Sequence, residues 1–426
     1  MLAIETASSG GMGIDPALGW LCAFLVVMAV SLTSRINVGI LAIVLAWVTG
    51  VAIAKLKPTI VFDVFPSSLF LTLLGVTLLF GAAEKNGTLE AITQRLVGAC
   101  KGVDALMPIA FFLLASAVSA MGPGSIAATA LVAPLAMSTG AVTKVRPVLM
   151  ALMVANGANA GNLSPFSAVG VIVQTQFAKA GLPVEPWRIF FPNFVAHALV
   201  AIGAYLLFGG LKLSRKSEGA PASGSAALDW RHWFTLVVLA AWVGAVVVYS
   251  VNIGLAAFVA AALLILGKAA DDGETVKAVP WAVILLVCGV SVLVEVGQKT
   301  GGIDMFTRLL ANIATPATAN GVMAFVTGLI STYSSTSGVV YPTFLPAVPG
   351  LVQQMGGGNP MEIALSINVG AALVDVSPLS TLGALCIAAA APLGGDPKSM
   401  FRIMLIWGFS MALIGAIFCQ LFIRWF

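Results

Sequence analysis

Charge is what this sequence has least of. Acidic and basic residues together fill 9% of its 426 positions, and histidine occurs twice. A soluble domain carries about 25% charged residues, so ordinary water-soluble folds are excluded. The net charge of +4, from 21 basic and 17 acidic residues, falls mostly between apolar runs and offers no continuous basic face to a nucleic acid. Cysteine is sparse as well. Cys22, Cys100, Cys288, Cys386 and Cys419 are odd in number, form no C-x-x-C and lie mostly inside apolar runs, so they read as packing residues. No G-x-S-x-G or H-E-x-x-H occurs, which removes two common hydrolase signatures. Alternating short strands of the barrel kind are missing too. The start of the chain has no basic region or small-residue cleavage site ahead of its first apolar run, so a removable signal is not expected.

What the chain does have is hydrophobic length, with 59% hydrophobic residues and a mean hydropathy of +1.03. A membrane-spanning helix needs about 20 apolar residues. Residues 18–32, 38–54, 67–83, 189–211, 234–250, 255–266 with their flanks, 281–296 and 400–423 meet or approach that length. The fold expected is therefore all-α and polytopic. Residues 88–101, which include Arg95, and 304–313 are more mixed and read as helices lying in the membrane interface.

Polar punctuation interrupts this pattern twice in the same way. Asn162-Leu163-Ser164-Pro165-Phe166-Ser167-Ala168-Val169-Gly170 returns as Asp375-Val376-Ser377-Pro378-Leu379-Ser380-Thr381-Leu382-Gly383, one pattern, N/D-x-S-P-x-S-x-x-G. Proline lacks a backbone donor and disfavours helix in the residue before it, so each copy should unwind a helix partway across the bilayer. Broken helices are expected at 148–178 and 362–391. Two apolar pairs are joined by the tips Gly122-Pro123-Gly124-Ser125 and Ser334-Ser335-Thr336-Ser337-Gly338. They read as re-entrant hairpins at 105–140 and 317–352.

The halves match beyond these motifs. Pro66, Gly75, Lys85 and Gly87 recur 214 positions later as Pro280, Gly289, Lys299 and Gly301. Ser125 and Pro134 recur after 212 as Ser337 and Pro346, and Ser164, Pro165, Ser167 and Gly170 recur after 213. The expected order is a first repeat at 1–211, a Ser/Gly/Ala/Pro linker at 212–230 and a second repeat at 231–426. Each repeat holds five transmembrane helices, one of them broken, plus one hairpin. Five is odd, so the second repeat enters from the other side and the two are inverted. With both termini outside, 14 of the 21 basic residues face the cytoplasm, among them Lys85, Arg231 and Lys268, as the positive-inside rule favours.

A helix that stops within the membrane leaves about four unpaired N–H groups at one end and about four C=O groups at the other. The amide ends suit an anion and the carbonyl ends a cation. Two breaks and two tips therefore make an anion site flanked by two cation sites, with no basic residue in the motifs. A dicarboxylate would be held by backbone amides with Ser125, Asn162, Ser164, Thr336, Ser337 and Ser377, beside Pro378. Na+ would take all-oxygen sites, the first around Gly122, Ser125, Asn159 and Gly161, the second around Ser334, Ser335, Ser337, Val374 and Asp375. Asp375 is a carboxylate deep in an apolar run and reads as a cation ligand, a proton carrier or a helix cap. Its twin Asn162 is neutral, so the two cation sites are expected to be unequal. His197 reads as an interior packing histidine. No cofactor is implied apart from the coupling ion, Na+ or H+.

Four segments carry a family resemblance: residues 70–81 (FLTLLGVTLLFG), 86–89 (NGTL), 122–128 (GPGSIAA) and 149–165 (LMALMVANGANAGNLSP). With them the chain resembles the ion transporter superfamily, in its malonate/dicarboxylate carrier branch, and is distantly similar to the divalent anion/sodium symporters. The resemblance implies secondary active uptake of a small dicarboxylate of the malonate, malate or succinate class, coupled to Na+. It also implies an elevator movement in a homodimer embedded in lipid, in a bacterial-type inner membrane, and no enzymatic reaction. Other members of the same architecture keep two alternatives open, the membrane subunit of a binding-protein-dependent carboxylate transporter and a Na+/H+ or oxyanion exporter. An intramembrane hydrolase built on a serine with His197 and Asp375 is set aside, since those residues lie in different halves.

Overall fold

The computed structural model describes residues 14–33, 36–99, 104–213, 228–249, 251–390 and 397–426, and among them the regular structure is entirely helical. Helix α1 (Pro16–Thr33) and α2 (Val38–Trp47, continued as a π-helix to Ile53) lead through α3 (Ile60–Asp63) into α4 (Ser67–Lys85) and α5 (Thr88–Ala99). Then come α6 (Met107–Met121), α7 (Gly124–Val142), α8 (Pro147–Gly161), α9 (Ala168–Lys179) and α10 (Pro186–Leu207). The second half holds α11 (Trp230–Tyr249), α12 (Ile253–Leu266), α13 (Asp272–Ala278), α14 (Trp281–Lys299) and α15 (Gly302–Ala311). It ends with α16 (Ala319–Tyr333), α17 (Tyr341–Met355), α18 (Pro360–Leu373), α19 (Thr381–Ala390) and α20 (Pro397–Phe422). Among the described residues, six stretches are long and apolar enough to cross a membrane: α4, α7, α10, α14, α20 and the segment Pro360–Ala390. The chain is a polytopic, all-helical membrane protein. Most of the expected linker, residues 214–227, and Cys100 lie outside the described residues.

Residues spaced about one half-length apart share geometry as well as type. Pro66 precedes α4 at φ −79°, ψ 66°, and Pro280 precedes α14 at φ −77°, ψ 65°. Asn37 and Asn252 cap α2 and α12, their side chains accepting from the N–H of Gly39 and Gly254, which satisfies a donor that the first turn leaves orphaned. Those two glycines then meet the matched pair. A Cβ on Gly289 would stand 2.1 Å from the carbonyl oxygen of Gly39, and one on Gly75 would stand 2.3 Å from that of Gly254. So α14 crosses α2, and α4 crosses α12, backbone on backbone, a closeness that small residues permit.

Hairpin arm α7 runs to Val142, past the end of its apolar run at Met137, and there Ser138 and Thr143 turn their hydroxyls back onto the Leu135 and Thr139 carbonyls. At the centre lie α8 and α18. Every residue of 148–161 is buried, and so is every residue of 363–373. A helix apolar on all sides belongs in the interior of a bundle, and here α6, α7 and α10 surround α8 while α16, α17, α10 and α20 surround α18. Lys85, Arg231 and Lys268 line one cavity with Asp271 and Glu274, so the ends of α4 and α12 and the start of α11 lie on a common face.

Candidate functional site

Neither central helix crosses the membrane in one piece. At 1.5 Å per residue the 15 residues of α8 reach about 22 Å and the 14 of α18 about 21 Å, short of a hydrocarbon core about 30 Å thick. Each stops at its polar motif, and the two motifs are built alike. The sixth-position serines, Ser167 and Ser380, donate to the carbonyls of Asn162 and Asp375 at the first position. Each also accepts from the N–H of the closing glycine, Gly170 at 2.9 Å and Gly383 at 3.4 Å. The third-position hydroxyls of Ser164 and Ser377 accept from Phe166 and Leu379 N–H, both at 3.3 Å. A Cβ on Gly170 would lie 1.9 Å from the Ser164 carbonyl oxygen, and one on Gly383 2.1 Å from that of Ser377. Only glycine fits the last position, because the motif's own backbone fills the space.

Each break meets its hairpin tip, with different chemistry. In the first half the Ser125 backbone N–H donates to Asn162 Oδ1 at 3.1 Å, and Ala168 N–H donates to the Gly122 carbonyl at 3.1 Å. Gly122 takes φ 152°, and the Phe80 ring packs where its side chain would be, so the tip needs glycine there. In the second half the contact runs between side chains: Thr336 Oγ1 donates to Asp375 Oδ2 at 2.6 Å and also pairs with Ser331 Oγ. Ser335 caps the π-helical turn Thr336–Val340 by accepting from Gly338 N–H at 3.0 Å.

The remaining predicted residues fall around these contacts. Ser125, Asn159, Asn162, Ser164, Thr336 and Ser377 are buried polar groups; Gly161, Val374 and Pro378 are buried as well, and Ser334, Ser335, Ser337 and Asp375 are half-buried. The Gly161 carbonyl accepts from Ser164 N–H and the Val374 carbonyl from Ser377 N–H, closing each half-helix. The structure joins Ser125 to Asn162 and Thr336 to Asp375; among the described residues no hydrogen bond links one pair to the other. The halves touch instead at Asn159, whose Nδ2 donates to the Ala372 carbonyl at 3.3 Å. They also interlock, since α9 packs on hairpin arm α17 and α19 on hairpin arm α7.

Asn193 and Ser331 escaped the sequence reading. Asn193 and His197 project from one face of α10. Asn193 Nδ2 donates to the Asn159 carbonyl at 2.8 Å, and His197 Nδ1 lies 3.0 Å from Asn156 Oδ1. The four-residue spacing of Asn193 from His197 in an apolar span was the signal available for Asn193. Ser331, at the end of a hairpin arm, had none. No Lys or Arg is buried among the described residues, so an anion here would be met by amides and hydroxyls.

Residues 14–162 match the family described as "Dicarboxylate carrier protein MatC N-terminus". Among solved structures, the chain is similar to the Alcanivorax borkumensis YdaH transporter, described as having an unusual topology, with a TM-score of 0.58. The match covers 97% of this chain and 99% of that one at 14% identity. At that identity it speaks to the fold alone. No curated protein sequence matches the chain.

Proposed function

We propose that the chain is a secondary active transporter that imports a small dicarboxylate of the malonate, malate or succinate class in symport with Na+. The observation that carries this reading is the pair of like-built breaks at the buried ends of two central helices, each joined to a hairpin tip. Unwound backbone at membrane depth persists where it lines a cavity or is held by protein, and matched interruptions in two halves are where such carriers bind substrate and ion. The family match over residues 14–162 supports a dicarboxylate as cargo. On this reading Ser125, Asn162, Ser164, Thr336, Ser337, Ser377 and Pro378 face the substrate. Gly122, Ser125, Asn159 and Gly161 serve one Na+, and Ser334, Ser335, Ser337, Val374 and Asp375 serve a second. The halves act as inverted repeats, and hairpins and broken helices move together as an elevator within a homodimer, both termini outside.

Purified protein in proteoliposomes tests it: an inward Na+ gradient should drive uptake of labelled malonate, malate or succinate. Uptake indifferent to Na+ and driven by a pH gradient would remove Na+ coupling, and no uptake by the chain alone would transfer it to a binding-protein-dependent system. Asp375→Asn should alter the cation dependence of uptake more than Asn162→Ala; equal effects would defeat the unequal-site reading.

A further inference from the structure

Two amide oxygens in the middle of the molecule, one on Asn159 of the first expected cation set and one on Asn193 outside both sets, have no hydrogen-bond partner among the described residues. Asn159 on α8 and Asn193 on α10 are both 0% exposed. Asn159 gives its Nδ2 to the carbonyl of Ala372 on α18, and Asn193 gives its Nδ2 to the carbonyl of Asn159. A carbonyl only accepts, so each amide is fixed with nitrogen toward its partner and oxygen turned away. Those oxygens, Asn159 Oδ1 and Asn193 Oδ1, are buried and have no hydrogen-bond partner among the described residues. A buried acceptor without a donor is costly and calls for a ligand, an ion or a water.

The surroundings select among these. Asn159 stands two residues before the end of α8, and Ala372 one residue before the end of α18. The carbonyl-bearing ends of two helices, each with a partial negative charge, therefore come together. No buried Lys or Arg offsets them among the described residues. His197, one turn further along α10, faces Asn156.

We propose that Asn159 Oδ1 and Asn193 Oδ1 form a further site for a hard monovalent cation, Na+, where α8, α10 and α18 cross. The inference rests on the reading that monovalent cations are the coupling ions, and it adds Asn193, which belongs to neither expected cation set. Oxygen ligands and negative helix ends are what such an ion requires.

The test counts ions. Protein purified in choline chloride is titrated with 22Na+ as wild type, Asn193→Leu and Asn193→Asp, with thermal unfolding as the check of folding. Asn193→Leu should lose one Na+ per chain, or bind it about tenfold or more weakly, the scale of one lost contact to a charged group. Asn193→Asp keeps an oxygen, adds a charge and should bind more tightly. Equal ion number and affinity in wild type and Asn193→Leu would overturn the proposal, because a buried water would give that result. If only Asn193→Asp is recovered folded, an unchanged affinity overturns it as well. Wild-type uptake measured in parallel separates the two levels. Na+-driven uptake with unchanged binding in Asn193→Leu removes this site alone, whereas a wild type that binds no Na+ removes the coupling from which it follows.

Discussion

Gly170 and Gly383 close their motifs against the carbonyls of Ser164 and Ser377, with no room for a methyl group. Gly170→Ala and Gly383→Ala should each cost about 1–3 kcal/mol, the usual range for overpacking a rigid site, and lower the melting temperature measured in detergent. A variant as stable as wild type would mean that the motif relaxes freely. The two tip contacts lead to a sharper contrast. Ser125 reaches Asn162 through its backbone N–H, which Ser125→Ala preserves, whereas Thr336 reaches Asp375 through a hydroxyl, which Thr336→Val removes. Loss of a hydrogen bond to a charged group costs about 1.5–3 kcal/mol, so Thr336→Val should raise the Na+ concentration for half-maximal uptake by about tenfold or more. Ser125→Ala should raise it less, and the reverse order in a Na+ titration would contradict the geometry.

At the scale of helices, α9 is tied to α14 by one ion pair, Lys179 Nζ to Glu295 Oε1 at 2.7 Å, with both side chains 25% exposed. Pairs of this kind contribute up to about 1 kcal/mol. Glu295→Gln should therefore change uptake rate by a few-fold at most while leaving equilibrium dicarboxylate binding in place. A large loss of binding would instead make the pair part of the site. The breaks and tips were legible because proline stands there together with glycine and short polar residues; proline alone was no guide, since Pro134, Pro192 and Pro346 lie inside α7, α10 and α17. The length of α7 was not legible, since its last turn, Ser138 to Val142, is small and polar and carries no apolar run. Nor was the seat of α1, where the Trp20 indole donates to the Leu293 carbonyl at 2.7 Å and lies against Gly297 and Gly302. A contact between residues 273 positions apart leaves no trace in local pattern.

For the whole molecule, the proposed orientation, with both termini outside, puts Lys57 outside and Lys268 in the cytoplasm. In a background with the native cysteines replaced, Lys57→Cys in intact cells should react with a membrane-impermeant thiol reagent and Lys268→Cys should not; the opposite pattern would reverse the orientation. Periodicity and repeat spacing made the architecture readable, because each span buries apolar side chains on its own account. Asn193 was harder to see, since it acquires meaning only once α10 is laid against α8. Asp375 carries a consequence for the bilayer's voltage. No ion pair joins it to a base among the described residues, and its twin is an amide. Carrying one elementary charge through the full potential does work of about 2.3 kcal/mol per 100 mV. An ionised Asp375 without its cation therefore gives the voltage a charge to pull on, whereas the break holding Asn162 has no side-chain charge to grip.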